Sequence, residues 1–228
     1  MKVLTALGLA AALLLSAQPA AALNAPTLRS KSVCLKVLKQ AIRANKTPKL
    51  QKCNFYNANL RNINFARANL KGSTFKYADL RGADLSYTKL TGVWLSYANL
   101  TNANLNFANL TGADFFEANL SYAGLSHASL TNAWLVEVNL SYADLWSANL
   151  TGAHLLEADL RYADLRFSYF DYADLLGANL SYADFDYAAF TYADLSYADF
   201  TGAKNFDYAA FTYADLTGAT MPDGTVHE

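Results

Sequence analysis

The sequence predicts a solenoid, a fold in which one small structural unit is stacked many times. Every fifth residue from Phe55 to Phe200 is Leu or Phe, at 30 positions without an exception. The residue two places before each is small or of modest size, and it is Ala in 23 of the 30 units. No charged residue occupies either position. A strict period of this kind is typical of stacked repeats, and it makes an enzyme less expected.

The first 22 residues have the pattern of a secretory signal peptide. Lys2 supplies the positive start, and residues 3–15 form an apolar stretch that is too short to span a bilayer comfortably. Residues 20–22 are all Ala and fit a small-residue cleavage site before Leu23. Because no other apolar run approaches transmembrane length, we expect an exported protein without stable membrane insertion.

Residues 23–52 read as a linker followed by an N-terminal capping helix. Ser32 is placed to begin a helix that runs to about Ala44, and Pro48 prevents the helix from continuing. A stacked fold leaves an open hydrophobic end, which needs a cap. The helix is basic and amphipathic, and its apolar positions share one face: Cys34, Val37, Leu38, Ala41 and Ile42.

The two cysteines, Cys34 and Cys53, are predicted to form a disulfide bond. An isolated pair in an exported protein favours one bridge, and two buried free thiols are the alternative. The bridge would close a loop of roughly 20 residues and contribute about 3 kcal/mol in the chain-entropy model. Because Cys53 lies at the small position of the first repeat, the bridge would clamp the helix to the first coil.

The repeat reads Ala-Asp/Asn-Leu-x-x, as at residues 58–60 and 143–145, and it extends over residues 53–221. This pattern resembles the pentapeptide-repeat family. The resemblance implies an all-β fold, a right-handed four-sided (quadrilateral) β-helix in which each pentapeptide forms one side. It also implies that the Leu/Phe and the small residue point inward and that the other three residues face solvent.

The sequence offers independent support for four pentapeptides per coil, although a period of five does not by itself fix the number of sides. Several residue types recur at intervals of 20, so that a coil of four pentapeptides would stack them into columns. About eight coils at the sheet spacing of ~4.8 Å give a rod roughly 40 Å long. The recurring sets are Glu117, Glu137 and Glu157; Tyr122, Tyr142, Tyr162 and Tyr182; and Thr91, Thr111, Thr131 and Thr151.

The C-terminal end departs from the strict period. Residues 186–195 recur unchanged at 207–216, which is 21 residues later, so the register slips by one between Phe200 and Phe206. We expect a local bulge near Lys204 and Asn205. Residues 222–228 form a C-terminal tail, and either this tail or another subunit must cover the last coil. Resemblance to relatives that dimerise through their C-terminal coils makes a homodimer the second option.

The charges are distributed unevenly along the chain. Residues 1–78 hold 13 Lys and Arg and no acidic residue, whereas residues 79–228 hold all 19 acidic residues and 5 basic ones. The rod is therefore expected to be basic at its front and acidic behind. The electric field of such a rod can steer charged partners toward it. The alternative is that the uneven charge reflects only drift of composition between repeats and has no function.

The outward columns supply the candidate binding residues, because no catalytic, phosphate-binding or metal-spaced motif is present. We expect no catalytic residue and no cofactor. Glu117, Glu137 and Glu157 would repel one another, and Ca²⁺ or a basic partner could relieve that repulsion; the alternative is that they extend into water. A further column contains Trp94, Trp134, His154 and Asp174, but it lacks a nucleophile or a cleft.

The tyrosine column Tyr122, Tyr142, Tyr162 and Tyr182 is the main candidate interaction face. Exposed stacked aromatic residues can bind a protein partner or a sugar, and they can also simply stabilise the rod by packing on one another. Both readings remain open from the sequence.

The function expected from these features is that of an exported, non-enzymatic scaffold, structural or protein-binding, with an unidentified protein partner and no nucleic acid. Resemblance to cyanobacterial and plastid-lumen members of the family places it in the periplasm or the thylakoid lumen. The alternative is an acidic DNA mimic that binds DNA gyrase, as some relatives do. That alternative requires a protein that is not exported, and the basic front of the chain opposes it.

Overall fold

The computed structural model describes residues 28–44 and 46–228, which form a helix followed by one continuous stack of coils. Helix α1 spans Lys31–Arg43, and a short 3-10 helix spans Phe206–Tyr208. Between them and as far as Asp184, parallel bridges pair each bridging residue with the residue 20 positions later, as Asn59 pairs with Asp79. In the described part of the chain no strand is longer than one such bridging residue.

Each coil contains four pentapeptides, which confirms the number inferred from the recurrences at 20. Every pentapeptide ends in a turn closed by a backbone hydrogen bond, such as Ile63 N–H to the carbonyl of Leu60 at 3.2 Å. Two kinds of bond tie successive coils together. Leu60 N–H donates to the carbonyl of Asp79 at 2.8 Å, and Asp79 N–H donates to that of Ala58 at 2.9 Å. Four turns and four bridges per coil give the rod four sides.

The core lies along the axis of the rod and is filled by the two inward positions of each repeat. The Leu/Phe residues from Phe55 to Phe200 are almost completely buried, and so are the small residues before them, except for the partly buried Ile63. This confirms the predicted inward register. Polar residues in the small position donate their hydroxyls to backbone carbonyls. Ser73 donates to Leu50 of the preceding coil at 2.8 Å, and Thr88 donates to Leu85 of its own turn.

The turns explain why Asn or Asp precedes the buried Leu or Phe in so many repeats. The side-chain oxygen of this residue accepts a hydrogen bond from the backbone N–H two residues later. Examples are Asp144 Oδ1 with the N–H of Trp146 at 3.0 Å and Asn119 Oδ1 with that of Ser121 at 2.9 Å. The sequence-based expectation that this position merely faces solvent was therefore incomplete, since the side chain also holds the turn.

The second residue of each turn adopts a positive φ, near +60°. Its backbone N–H donates to the coil above, as Tyr142 N–H does to the carbonyl of Arg161 at 2.9 Å. Gly and Asn tolerate this conformation most easily, but many turns carry Tyr, Glu or Phe. No β-branched residue has a positive φ in residues 28–44 and 46–228. The side chains of these turn residues project from the four corners of the rod.

The N-terminal segment is joined to the first coil in two ways. The structure places the predicted bridge between Cys34 and Cys53, whose Cα atoms are 5.8 Å apart, and Cys34 and Leu38 belong to the buried core. Arg29, which precedes α1, forms a parallel bridge with Cys53. Stacking begins with Lys49, which is bridged to residue 69, so the coils start before the predicted boundary at residue 53.

The C-terminal end contains the predicted change of register. Bridges span 20 residues as far as Asp184 and Lys204, and they span 21 from Ala189 and Ala210 onward. Asn205, with φ 54°, and the 3-10 helix after it accommodate the extra residue. The tail then turns back and forms an antiparallel bridge between Thr220 and Val226. Three large inward residues of this last coil remain only partly buried: Phe206, Phe211 and Leu216.

In residues 28–44 and 46–228, no helix combines the length and the apolar character needed to cross a membrane. The predicted signal peptide, residues 1–22, lies outside the described residues.

Candidate interaction surface

The four predicted tyrosines form a regular ladder along one corner of the rod, which we call the tyrosine ladder. Tyr122, Tyr142, Tyr162 and Tyr182 occupy the positive-φ turn position in four successive coils. Their ring centroids are 4.8, 4.7 and 5.0 Å apart, and neighbouring ring planes differ by only 5–6°. Between 44% and 55% of each residue is exposed. The stack therefore fixes four large side chains at the spacing of the coils.

The geometry of the tyrosine ladder decides which part of each ring a ligand can reach. Neighbouring rings cover one another's faces, and Gly202 lies so close to the ring of Tyr182 that a Cβ there would be 2.6 Å from it. Between neighbouring rungs, only ring edges and hydroxyl groups face solvent. A sugar binds aromatic residues by stacking on the ring face, and no face is accessible between the rungs. A protein segment, in contrast, can contact the ring edges and exchange hydrogen bonds with the tyrosine hydroxyls.

A second aromatic row runs along the neighbouring corner, and we call it the mixed ladder. Successive members of the row have centroid distances between 4.6 and 6.2 Å. Sequence reasoning missed this row because its members are chemically different and because Trp146 stands one residue before the position that recurs in the other coils. Comparing aromatic residues of any type at intervals of 20 would have found most of it. Its members are Tyr87, Phe107, His127, Trp146, Phe167, Tyr187 and Tyr208.

Between the two ladders lies a row of carboxylates, which we call the aspartate strip: Asp144, Asp164 and Asp184. Parallel bridges connect these three residues in successive coils. In chain order, each follows a rung of the tyrosine ladder and precedes a member of the mixed ladder. The side of the rod that they occupy is therefore acidic along its middle and aromatic along both margins.

Arg166 shows how the aspartate strip binds a cation. Its Nε and one Nη donate to the two carboxylate oxygens of Asp164, at 2.8 and 2.6 Å. Burial raises the pKa of the Asp164 carboxyl, but the hydrogen bonds and charge of Arg166 outweigh this effect and leave the pKa lowered. Asp184 and Asp144 add to the electrostatic stabilisation of the charged guanidinium of Arg166.

The glutamate column does not form a metal site. Burial, followed by the charges of Glu117 and Glu157, raises the pKa of Glu137, as expected for three neighbouring carboxylates. However, in residues 28–44 and 46–228 no group of three or more His, Cys, Asp or Glu residues is arranged to hold a metal ion. The arrangement is that of separate carboxylates along a corner.

The column with Trp94 also contains Asp114, which separates it from Trp134. The Trp134 and His154 rings stack with centroids 4.4 Å apart. Burial, followed by the charge of Asp194, raises the pKa of Asp174, although the neighbouring His154 lowers it. No ion pair joins the two residues in the described part of the chain. The column therefore provides packing rather than an acid–base pair.

A shallow groove of about 300 Å³ lies between the segment after α1 and the first coils. Lys46, Thr47 and Pro48 form one wall, and Asn64 and Arg67 contribute to the other. The groove belongs to the basic front of the rod and is open to solvent.

Two family models match the repeats. Residues 48–125 match a model described as a pentapeptide repeat region. Five overlapping stretches between residues 118 and 221 match a model described as pentapeptide repeats in eight copies. The two sets of matches together extend from residue 48 to residue 221.

Solved structures of repeat proteins are also similar to the chain. HetL, a pentapeptide repeat protein involved in heterocyst differentiation regulation in Nostoc sp. strain PCC 7120, is 28% identical; the match covers 83% of this chain and 98% of HetL, with a TM-score of 0.49. QnrB1, a plasmid-mediated fluoroquinolone resistance protein, is 21% identical, with coverages of 71% and 90% and a TM-score of 0.34. A pentapeptide repeat protein of the Arabidopsis thaliana thylakoid lumen is 25% identical, with coverages of 60% and 65% and a TM-score of 0.21. A comparison with curated proteins found no match.

Proposed function

The chain belongs to the pentapeptide-repeat family, and on this basis we propose that it is an exported, non-enzymatic scaffold that presents one face of a rigid rod to a protein partner. Proteins of this family are generally structural or interaction proteins. The observation that carries the proposal is the tyrosine ladder, in which four half-exposed rings are held at one spacing by the hydrogen-bonded coils beneath them. Aromatic residues are enriched at protein interfaces because they supply large contact areas at a low entropic cost.

The regular backbone supports a role as a rigid platform. Each rung stands on a turn whose N–H donates to the coil above, as Tyr162 N–H does to Ser181 at 3.1 Å. Because the rungs also stack on one another, little side-chain freedom remains to be lost when a partner binds. A preformed row of edges and hydroxyls favours a partner that lies along several coils over a small ligand.

Affinity capture from the source organism tests the proposal with a matched control. The test variant carries Tyr142→Asn and Tyr162→Asn, and the control carries Tyr172→Asn and Tyr192→Asn, which removes an exposed stacked pair from a different corner. Asn is suited to these positions because Asn132 already adopts the same positive φ. We expect wild type and control to retain the same partner and the test variant to lose it. Equal capture by all three proteins would refute the assigned face.

Export rests on the sequence of residues 1–22, which supports a location in the periplasm or the thylakoid lumen. If the proposal is right, mass spectrometry of the protein from its source finds a mature chain that begins at or near Leu23. An intact Met1 would remove the argument for export. The proposal also includes a right-handed coil, which the family resemblance supports, and a capping role for α1, which the burial of Cys34 and Leu38 supports.

A DNA mimic that binds gyrase is the second candidate function, and the concentration of acidic residues from residue 79 onward favours it. In the described residues four arginines pair with aspartates, and this reduces the resemblance to a phosphate backbone: Arg61, Arg81, Arg161 and Arg166. Measuring inhibition of DNA supercoiling by purified gyrase separates the candidates. The scaffold proposal predicts no inhibition at micromolar concentrations of the mature chain.

A homodimer through the C-terminal coil is the remaining partner proposal. The partly buried inward residues of that coil, Phe206, Phe211 and Leu216, support it because a second copy would cover them. The bridge between Thr220 and Val226 opposes it, since the tail already covers part of this end. Sedimentation equilibrium decides between monomer and dimer.

A further inference from the structure

The chain's own arginines make two contacts on the side of the rod bounded by the two ladders. At the N-terminal end of the mixed ladder, the guanidinium of Arg67 lies over the ring of Tyr87, 4.9 Å from its centroid. Farther along the same side, Arg166 holds both carboxylate oxygens of Asp164. Both common ways of binding a guanidinium group, by an aromatic face and by a bidentate carboxylate, thus occur on this side of the rod. The aromatic contact lies in coils that precede the tyrosine ladder, and the carboxylate contact lies between the two ladders.

The carboxylates on either side of that pair are not occupied by a basic side chain. Asp144 Oδ2 accepts the hydroxyl of Ser126 at 2.6 Å, and Asp184 Oδ1 accepts the amide of Asn205 at 2.8 Å. In the described residues, the ion pairs are Arg61 and Arg81 with Asp79, Arg161 with Asp159, and Arg166 with Asp164. Asp144 is exposed and Asp184 is partly buried. Lys204 follows Asp184 in the same column, but among the described residues it forms no ion pair with it.

We propose that the aspartate strip and its two ladders bind an extended, arginine-bearing segment of a partner protein that lies lengthwise along the rod. This inference rests on the proposed scaffold function and names the chemistry of the partner. Two arginines of the segment pair with Asp144 and Asp184, one on each side of Arg166. Their methylene stems contact the ring edges of the ladders, which form the apolar margins of the strip.

The spacing of the coils determines the spacing of the arginines. Asp144 and Asp184 are two coils apart, which is roughly 10 Å at the interstrand distance of ~4.8 Å. In a polyproline II segment, residues three apart point to the same side and are separated by about 9.3 Å. An extended segment with Arg at every third position therefore matches the strip.

Lysine is a poorer fit than arginine to this site. The ammonium group of Lys offers a point charge, whereas the planar guanidinium of Arg donates two parallel hydrogen bonds to one carboxylate, as Arg166 does. We therefore expect a preference for Arg that cannot be explained by net charge.

The test measures the affinity of a fluorescein-labelled peptide made of four Arg-Pro-Pro units for the mature chain by fluorescence anisotropy. A peptide with Lys in place of Arg is the second probe. The strip variant carries Asp144→Asn and Asp184→Asn, and the control carries Asp194→Asn and Asp215→Asn on the opposite side of the coil. Both pairs of aspartates accept a turn N–H that Asn can also bind, and both variants lose the same charge. Thermal unfolding followed by circular dichroism verifies that all proteins are folded.

The proposal predicts that the strip variant binds the Arg peptide at least tenfold more weakly than wild type, that the control variant changes by less than threefold, and that the Lys peptide binds several-fold more weakly than the Arg peptide. Equal losses in the two variants would mean that only net charge matters, and no measurable binding to wild type would also overturn the proposal. Self-association of the wild type that disappears in the strip variant would overturn it as well, because the occupant would then be the basic front of a second copy.

This inference and the proposed function fail in distinguishable ways. If the partner from the source organism depends on the tyrosine ladder but the Arg peptide does not distinguish the strip variant from the control, the scaffold function stands and the arginine-bearing partner is wrong. If the peptide behaves as predicted while no partner depends on the ladder, the site exists but the proposed scaffold function lacks support.

Discussion

Replacing Leu140 by Ala tests the physical basis of the rod. Leu140 is 1% exposed and lies in the middle of the stack, between Leu120 and Leu160 of the neighbouring coils. Removing the buried methyl and methylene groups loses about 2 kcal/mol of transfer free energy. The coils cannot collapse into the space, because backbone bonds such as Leu140 N–H to Asp159 at 2.7 Å hold them at a fixed spacing. We therefore add a cavity contribution and expect a total loss of about 3–4 kcal/mol.

Urea unfolding followed by far-ultraviolet circular dichroism measures this loss. Leu176→Ala is the matched control, because Leu176 lies at a turn and is only partly buried, so that its truncation should cost less than about 1 kcal/mol. Since a solenoid is stabilised by contacts between neighbouring repeats, hydrogen exchange should accelerate most in the coils next to residue 140. Equal losses in the two variants, or an unchanged midpoint for Leu140→Ala, would refute the inward register.

Three further changes test the ends and corners of the rod. Replacing Cys34 and Cys53 by Ser should lower the unfolding free energy by about 3 kcal/mol, since the bridge closes a loop with a sequence separation of 19; an unchanged urea midpoint would contradict the clamp. Glu137→Gln should raise the melting temperature at pH 7 but not at pH 3. Because the pKa of Glu137 is raised in the folded state, the wild type loses stability as the pH rises above the ordinary value of 4.5 and through the folded-state pKa. Solvent screening keeps the stability gained by the Gln variant below about 1 kcal/mol. An equal gain in melting temperature at pH 3 would contradict this cause. Gly92→Ala should lower the unfolding free energy by about 1 kcal/mol because of its φ of +60° alone. Gly202→Ala should lower it further, because the new Cβ would meet the ring of Tyr182 in the coil below. Equal melting temperatures for the two variants would argue against that contact.

The periodic features of the fold could be predicted because they follow from burial. A residue that is buried in every repeat leaves a visible period in the sequence, and both the inward register and the slip before Phe206 follow from that period. The pairing of Cys34 with Cys53 was predictable for a different reason, since the chain has only two cysteines. The tyrosine ladder was predictable for a related reason. Identical residues at intervals of one coil must stack in any fold that repeats at that interval.

The features that were missed depend on local hydrogen bonds and on tertiary context. Asp144 was read as a solvent-facing residue, although its Oδ1 holds the following turn, and the known tendency of Asn and Asp to bond nearby N–H groups was the available signal. The positive φ of Tyr142 contradicts the ordinary preference for Gly or Asn there. Tertiary context overrides that preference, because hydrogen bonds between coils fix the turn conformation and stacking on neighbouring rings stabilises the side chain.

Burial outside the axis was also unexpected. Leu156 occupies a turn position that the repeat pattern assigns to solvent, yet it is 0% exposed, and Val136 in the coil below is 5% exposed. The period of five describes only the inward positions. Side chains on the outer surface can also be buried by their neighbours, and this burial does not follow the period of five. The repeat pattern therefore cannot predict it.

The most direct test of the proposed function is photo-crosslinking from single positions in the source organism. A benzophenone side chain replaces Tyr162 in the tyrosine ladder in one strain and Tyr172, on another corner, in a second strain. Phe167 shows that a large ring without a hydroxyl adopts the same positive φ. If the tyrosine ladder is the face that binds the partner, irradiation gives one discrete crosslinked species from position 162 and none from position 172. Identical products from the two positions, or no product from either, would contradict the assignment of this face.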